Sequence, residues 1–217
     1  MKNPTIPGLN IPVHTIFCIG KNYEKHAREL GSEPPSSPLV FLKPTTTICF
    51  NGDVIDLPEH SRDVHHEVEL VLAIGKTGKN IPLERALEYV SGYGIGIDFT
   101  ARDLQQKAKE KGHPWTISKG FDKFAPISSF IPFDSDSFPD TDLRLTVNGE
   151  TRQKASTSEM IFNINILISF LSGIFTLEKG DLIFTGTPEG VSAVKAGDEL
   201  TATLDNDLTS LTVSIAK

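Results

Sequence analysis

Residues 65–74 read HHEVELVLAI, with two carboxylates two positions apart at the start of an otherwise apolar segment. On a β-strand, side chains at i and i+2 point to the same face, so Glu67 and Glu69 converge while Val68 and Leu70 face the other way. Two like charges beside a core are costly unless a cation neutralises them. Oxygen ligands favour Mg²⁺ or Mn²⁺, although a solvated strand face carrying two acids is the simpler interpretation of this segment alone.

The composition indicates an ordinary globular protein of 217 residues, 38% hydrophobic and 23% charged. A formal net charge of −7 argues against a general binder of nucleic acid or anionic membranes. Cys18 and Cys49 fit no metal-binding spacing and are expected to be reduced core residues. The N-terminus lacks the apolar segment of a signal peptide, and the longest apolar stretch, 161–175, is too short to span a bilayer. We therefore expect a cytoplasmic protein that binds no nucleic acid and no membrane.

The remaining segments predict many short strands and a few helices. The chain has no internal repeat or long linker, so we expect a single domain over residues 1–217, with 1–14 as an N-terminal extension. Strict strand–helix–strand alternation is missing, which favours a strand-rich α+β fold over a doubly wound sheet. The predicted elements are one strand over 64–74, a hairpin at Asn148-Gly149, and helices over 22–30, 83–90, 101–111 and 160–172, with Asn22 and Ser156–Ser158 as N-caps.

Asp98 is a candidate third ligand for a cation bound by the two glutamates. It follows a Gly-rich apolar segment and precedes the predicted helix 101–111, where an aspartate can be an N-cap and nothing more. Beside Glu67 and Glu69 it would complete a set of three carboxylates that leaves coordination positions open for water or substrate. His65 shares the strand face with both glutamates, so spacing alone also allows a zinc site.

His26 and Glu29 lie three residues apart on the first predicted helix and therefore share a face. A carboxylate beside an imidazole orients the ring and raises its pKa, which suits a general base acting on water. The neighbouring residues Glu24, Lys25 and Arg28 are also charged, so an ordinary surface helix is the competing interpretation.

Four further residues are candidates for a site, and two of them, Lys119 and Thr187, could bind an anion. Arg102 and Gln105 share a helix face by the same spacing rule. Lys119 lies in an unusually apolar sequence, where it is either a snorkelling surface residue or an anion-binding group. Thr187 follows Gly186 in a turn whose hydroxyl and free N–H groups suit a carboxylate, although a plain tight turn explains the glycines equally well.

Spaced motifs in one order resemble the fumarylacetoacetate hydrolase family from about Gly20 to the C-terminal strand. The compact length is most similar to the acylpyruvate hydrolase and oxaloacetate decarboxylase branch. The motifs that carry the resemblance are GKNY (20–23) with His26 and Glu29, FLKP (41–44), HEVEL (66–70), DFTARDLQ (98–105), PW (114–115) with Lys119 and FD (121–122), and TGTPEGV (185–191).

The resemblance implies a mixed β-sandwich roll of the family's C-terminal type with a few peripheral helices, assembled as a homodimer. It also implies that helix 22–30 is a lid that orders over bound ligand. His65 is not a ligand in the family pattern, so the zinc interpretation is set aside. By resemblance, Mg²⁺ or Mn²⁺ is held by Glu67, Glu69 and Asp98, the catalytic residues are His26, Glu29 and Lys119, and the substrate is bound by Arg102, Gln105, Gly186 and Thr187.

The activity implied is hydrolysis of the carbon–carbon bond of acylpyruvates (2,4-dioxo acids) to pyruvate and a carboxylic acid. Decarboxylation of oxaloacetate passes through the same pyruvate enolate without water, so one site could perform both reactions. Two alternatives stay open: an isomerase, hydratase or decarboxylase of unsaturated 2-keto acids from aromatic catabolism, and a non-catalytic keto-acid-binding protein.

Overall fold

The computed structural model describes residues 3–29, 31, 33–205 and 207–217. Within these residues there are four α-helices: α1 (Glu24–Glu29), α2 (Arg102–Lys111), α3 (Thr116–Lys119) and α4 (Ile164–Ile174). The strands are β1 (Thr5–Ile6), β2 (Ile11–Pro12), β3 (Ile16–Gly20), β4 (Leu39–Lys43), β5 (Ile48–Phe50), β6 (Val54–Ile55), β7 (Val64–His66), β8 (Val68–Ile74), β9 (Val90–Ile97), β10 (Thr100–Ala101), β11 (Ala125–Ile127), β12 (Ile131–Pro132), β13 (Asp142–Val147), β14 (Glu150–Ser156), β15 (Leu182–Phe184), β16 (Ser192–Ala193), β17 (Glu199–Leu204) and β18 (Thr209–Ile215).

Two large mixed sheets and two small ones organise the chain. The larger sheet has the order β4-β3-β15-β8-β9-β11-β5, with β12 pairing with β9. The second has the order β14-β13-β17-β18-β6, and the small sheets are β10-β7-β16 and β1-β2. Parallel pairs (β15 with β3, β11 with β5, β18 with β6) occur among antiparallel ones. This strand-rich fold with few helices confirms the predicted fold class.

The main core lies between the two large sheets. All seven residues of β8 are buried, and its residues Leu70 and Leu72 belong to the same apolar cluster as Leu145 and Leu200 of the second sheet. A smaller cluster covers the opposite face of β8, with Val71 beside Phe184 of β15. A strand buried on both faces is a rigid support for side chains at its start.

Several predicted elements are shifted. The predicted strand 64–74 is interrupted at Glu67, which lies between β7 and β8. The predicted helix 160–172 is wrong at its start, because Ser156 caps a short 3₁₀ helix, Thr157–Glu159, while Asn163 caps α4. The predicted helix 83–90 is a 3₁₀ helix, Leu83–Tyr89.

The first helix begins later than predicted, and Asn22 is not its N-cap. Its amide instead donates to the carbonyls of Thr185 (2.8 Å) and Phe162 (3.0 Å), so it joins the start of α1 to two distant segments. The last residue of the predicted helix, Leu30, lies outside the described residues.

Other local predictions are confirmed. The hairpin between β13 and β14 turns at Asn148 and Gly149, both with positive φ (51° and 82°), as the Asn-Gly signal requires. Helix α2 ends at Gly112 in the left-handed conformation, and Cys18 and Cys49 are buried and free. No helix of the described chain is long and apolar enough to cross a membrane.

Candidate active site

Three carboxylates converge where the buried strands β8 and β9 meet. Glu67 precedes β8, Glu69 is its second residue, and Asp98 follows β9. Because β8 and β9 are antiparallel and Glu69 lies opposite Gly96, the start of one strand meets the end of the other. One oxygen from each carboxylate lies within 4.8 Å of the others, and all three residues are buried.

Lysine and arginine side chains surround this carboxylate cluster. The ammonium of Lys119 donates to Glu67 Oε2 (2.9 Å) and Asp98 Oδ2 (2.6 Å), and Arg102 donates to Glu67 Oε1. Lys43 lies 2.6 Å from Asp98 Oδ1. Three cations therefore balance three carboxylates, which is how buried charge is tolerated.

Lys43 lies in the sequence motif FLKP, which by itself predicts no role for this lysine. Its ammonium donates to the backbone carbonyls of Phe99, Lys119 and Phe124, at 3.2, 2.6 and 2.9 Å. These contacts use all three of its protons and tie β4 to the segments that carry Asp98 and Lys119. None of the partners is close in sequence, so the only available signal was a lysine in an apolar strand.

The two glutamates have opposite pKa shifts. Burial would raise the pKa of Glu67, but the charges of Lys119 and Arg102 outweigh it and hold that pKa well below its usual range. Burial raises the pKa of Glu69 well above its usual range, and the carboxylates of Asp98 and Glu67 add to that effect. Burial opposes the charge of Lys119, yet Asp98 and Glu67 keep its pKa above that of an ordinary lysine.

The donor set fits a hard divalent cation. Asp98 Oδ1 is buried and accepts no hydrogen bond from the described residues, since the protons of Lys43 go to carbonyls. A buried carboxylate oxygen that pairs with the Lys43 charge but accepts no hydrogen bond, beside two further carboxylates, is a ligand atom of the type that Mg²⁺ and Mn²⁺ prefer. His65, the residue that spacing alone allowed in a zinc site, hydrogen-bonds instead through its Nε2 to Asp63 Oδ1 (2.9 Å).

Helix α1 carries the predicted His26–Glu29 dyad. His26 Nδ1 lies 3.2 Å from Glu29 Oε2, and the N–H of Gly190 donates to Glu29 Oε1 (3.1 Å). A carboxylate only accepts, so in the neutral ring Nδ1 carries the proton and Nε2 keeps its lone pair. Burial lowers the pKa of His26, although Glu67 and Glu29 oppose the shift, so the ring is neutral at neutral pH.

A single cleft brings most of the predicted residues together. Arg102 Nη1 donates to Gln105 Oε1 (2.7 Å), as the shared helix face predicted. The N–H of Gly186 donates to Glu69 Oε2 (2.7 Å), so in this arrangement it orients a carboxylate of the cluster. The predicted residues that line the cleft are His26, Glu67, Glu69, Arg102, Gln105, Lys119 and Thr187.

The wall of the cleft also contains residues for which the sequence predicted no role, three of them within the quoted motifs. Lys21, Lys109, Phe41 and Trp115 are among them, and the Lys109 ammonium lies 5.4 Å from the centre of the Trp115 ring. Burial and the nearby charges of Arg102 and Lys21 lower the pKa of Lys109. An excess of positive charge of this kind favours an anionic ligand.

Known proteins match both the sequence and the fold. The profile "Fumarylacetoacetate (FAA) hydrolase C-terminal" matches residues 15–216. The mitochondrial oxaloacetate tautomerase of Arabidopsis thaliana is 50% identical over 188 residues, which cover 86% of this chain and 84% of that protein. The mitochondrial oxaloacetate decarboxylase of Dictyostelium discoideum is 50% identical over 184 residues, 84% of each protein.

A solved structure extends the match to the whole architecture. Fumarylpyruvate hydrolase from Pseudomonas aeruginosa, crystallised with Mn²⁺ and pyruvate, superposes with a TM-score of 0.91 at 40% identity, covering 95% of this chain and 91% of that one. The sequence motifs, the sheet arrangement and these matches agree. The chain belongs to the fumarylacetoacetate hydrolase family.

Proposed function

We propose that this protein is a Mg²⁺- or Mn²⁺-dependent enzyme that cleaves acylpyruvates to pyruvate and a carboxylic acid and also decarboxylates oxaloacetate. One observation carries the proposal: the buried carboxylate cluster with Lys119 shares a cleft with a neutral, carboxylate-oriented histidine. The carboxylate cluster with Lys119 can stabilise an enolate, and the histidine can activate water. Relatives named as an oxaloacetate decarboxylase and a fumarylpyruvate hydrolase support both parts of the proposal.

Glu67, Glu69 and Asp98 would hold the cation, and Arg102, Gln105 and Thr187 would hold the substrate. When bound, a divalent cation supplies Lewis acidity toward the carboxylate and 2-oxo oxygens of a 2-oxo acid. Thr187 lines the cleft and would donate its hydroxyl proton to the substrate carboxylate. Arg102, already bonded to Glu67 and Gln105, keeps the adjoining wall positively charged.

In the hydrolysis, His26 Nε2 accepts a proton from water as the water oxygen attacks the distal carbonyl carbon of the 2,4-dioxo acid. Glu29 holds the ring and stabilises the imidazolium that forms. The bond between C3 and C4 then breaks, its electron pair passes to the pyruvate fragment as an enolate, and the carboxylic acid departs. The ammonium of Lys119 would stabilise the negative charge on the enolate oxygen, and the proton that His26 took from water would pass to C3, which gives pyruvate and restores the base.

Decarboxylation uses a subset of these residues. In oxaloacetate the bond to the distal carboxylate breaks, CO₂ departs, and its electron pair forms the same pyruvate enolate. No water attacks, so the step requires Lys119 and correct orientation of the substrate but does not require His26 as a base.

Tautomerisation of oxaloacetate is a second candidate, favoured by the pairing of a neutral base with a charged acid in one cleft. His26 would remove a C3 proton, the electron pair would pass to the C2 carbonyl oxygen, and that oxygen would take a proton from the Lys119 ammonium to give the enol; the reverse transfers would give the keto form. The relative from Arabidopsis thaliana is named as an oxaloacetate tautomerase. In this reaction His26 is essential and no carbon–carbon bond breaks.

Assays on the purified protein test the proposal. With Mg²⁺ or Mn²⁺, we expect pyruvate from acetylpyruvate, fumarylpyruvate and oxaloacetate, each lost on chelation. Enol-to-keto conversion of oxaloacetate without CO₂ release would favour the tautomerase, and turnover of unsaturated 2-keto acids alone would favour the isomerase or hydratase alternative. Binding of pyruvate without turnover of any substrate would indicate a keto-acid-binding protein and contradict the proposal. The homodimer, the single domain and the cytoplasmic location stay predictions.

A further inference from the structure

We propose that Gln153 is a positioning residue that turns the hydroxyl of Thr187 into a hydrogen-bond donor toward the substrate carboxylate. Gln153 lies on β14, in the second large sheet, and the residue is 1% exposed. Its Nε2 donates to Thr187 Oγ1 at 2.8 Å. The inference rests on the proposed function in one respect, namely that Thr187 faces the carboxylate of a 2-oxo acid.

Two backbone groups fix the orientation of the Gln153 amide. The N–H of Val68 donates to Oε1 (3.1 Å), and the carbonyl of Pro188 accepts from Nε2 (2.9 Å). A backbone N–H can only donate and a carbonyl can only accept, so a flipped amide would lose both bonds. The group that meets Thr187 is therefore the donor end of the amide.

The direction of the Thr187 hydroxyl follows from this orientation. Nε2 has no lone pair to accept with, so Oγ1 accepts the bond from Gln153 and keeps its own proton. That proton has no acceptor among the described residues, while Thr187 lines the cleft and is 2% exposed. A buried hydroxyl proton without a protein acceptor is suited to an incoming carboxylate, and a charged acceptor strengthens the bond.

A further pair of residues holds Gln153 in this orientation. His66 Nδ1 lies 3.0 Å from Gln153 Oε1, and His66 Nε2 lies 2.8 Å from Ser192 Oγ. Oε1 only accepts, so Nδ1 must donate, and Nε2 of the neutral ring then accepts from the serine hydroxyl. Each hydrogen bond in the series Ser192–His66–Gln153–Thr187 therefore has one assigned donor and one assigned acceptor. The series connects β16, β7 and β14 to Thr187 in the wall of the cleft.

The loop that carries Thr187 is held against β14 by close backbone contact. Gly190 has a φ of 93°, and a Cβ on it would lie 2.2 Å from the carbonyl oxygen of Arg152. Only glycine permits this approach, which keeps Thr187 within reach of residue 153. The distance between the two side chains is thus set by the backbone.

The test uses Gln153→Glu, which keeps the size of the side chain but presents an oxygen that only accepts. Thr187 would then turn its proton toward that carboxylate and away from the cleft. Gln153→Met, which neither donates nor accepts, serves as a second variant in case the buried charge prevents folding. The probes are Mn²⁺ alone and pyruvate in the presence of saturating Mn²⁺, each measured by titration calorimetry on the whole protein.

We expect the dissociation constant for pyruvate to rise about 10- to 100-fold in Gln153→Glu, the effect of losing a hydrogen bond to a charged group, and about 3-fold in Gln153→Met. The dissociation constant for Mn²⁺ should stay the same. In a Thr187→Val background, neither Gln153 substitution should weaken pyruvate binding further, because the hydroxyl through which Gln153 acts is gone.

Three results would overturn the inference, and they differ in what else they contradict. If Thr187→Val weakens pyruvate binding but both Gln153 variants bind as wild type, only the role of Gln153 is wrong. If the effects of Gln153 and Thr187 add fully in the double variants, Gln153 acts by another route. If the wild-type protein with Mn²⁺ binds no pyruvate, the proposed function fails together with the inference.

Discussion

The carboxylate cluster and the His26–Glu29 dyad each contribute residues to one cleft but are built in different ways. The cluster lies at the junction of two long strands, is buried, and is held by bonds from Lys119, Arg102 and Gly186. The dyad lies on α1, a helix of six residues, and Glu29 remains 36% exposed at the side chain. Glu29 reaches the rest of the site through the N–H of Gly190.

This difference separates two chemical tasks. Stabilising an enolate requires fixed charges in a dry environment, which a buried strand junction provides at no reorganisation cost. Activating water requires a base that lines the cleft, and the short helix α1 supplies it as His26, which is buried beside its more exposed partner Glu29. Reactions that need only enolate stabilisation should therefore persist when the His26–Glu29 dyad is altered. The following predictions test that separation.

The largest effect is expected from removal of a carboxylate of the cluster. Glu69→Gln keeps the shape of the side chain but removes an anionic ligand, so every metal-dependent activity should fall by at least about 10³-fold. Exhaustive chelation should do the same to the wild-type protein. The measurements are initial rates on acetylpyruvate and oxaloacetate, with the exposed Glu150→Gln as the control. Full activity after chelation would contradict the metal site.

Substitution of Lys119 should lower hydrolysis and decarboxylation together. Lys119→Met removes the charge beside the enolate oxygen, and we expect kcat for both reactions to fall about 10²- to 10³-fold. The thermal midpoint, measured with saturating Mg²⁺, should change far less than the rates. Lys179→Met on the exposed surface is the matched control. Normal turnover of both substrates would show that Lys119 has no part in catalysis.

Substitution of His26 should separate the two activities. His26→Ala removes the base, so acylpyruvate cleavage should fall by roughly 10²- to 10⁴-fold, while oxaloacetate decarboxylation falls much less. The decisive quantity is the ratio of the two kcat/KM values in wild type and variant. Arg28→Ala, on the exposed side of the same helix, controls for damage to α1.

An unchanged ratio in His26→Ala, with both activities reduced, would give the dyad a different role. It would then close the site over the substrate without activating water, as a lid does. Loss of oxaloacetate tautomerisation in the same variant would instead support the second candidate function.

The smallest effect concerns the pH dependence of hydrolysis. Burial lowers the pKa of His26, so the base is neutral above that pKa and activity is lost as the pH falls through it. Glu29 raises this pKa by its hydrogen bond and charge. Glu29→Gln should therefore shift the acidic limb of kcat/KM to lower pH by about 0.5–1 unit. A shift to higher pH would show that another group sets the limb.

Local spacing predicted the parts of the site that depend on one element. The i, i+2 rule brought Glu67 and Glu69 together, and the i, i+3 rule paired His26 with Glu29. Asp98 followed from its place at a strand end. The split of the predicted strand at Glu67 was not visible, because the apolar pattern runs through it.

The partners that come from other sheets could not be predicted. Lys43 meets carbonyls 56 to 81 residues away, and Gln153 meets Thr187 across two sheets. Their local sequences describe a lysine in an apolar strand and a glutamine in a polar hairpin, and neither identifies the distant partners. Only the tertiary arrangement of the strands makes these side chains part of the site, and motif spacing does not contain that information.

The position of β15 has a consequence for how the protein is made. This strand lies between β3 and β8, yet it follows both of them in the chain by more than a hundred residues. During synthesis on the ribosome, the facing edges of β3 and β8 stay unpaired until β15 has been made. The hydrogen bond from Gly186, which follows β15, to Glu69 cannot form before then. A nascent chain that stops before β15 should therefore expose two apolar strand edges and depend on chaperones, and the cluster can mature only when nearly all of the protein has emerged.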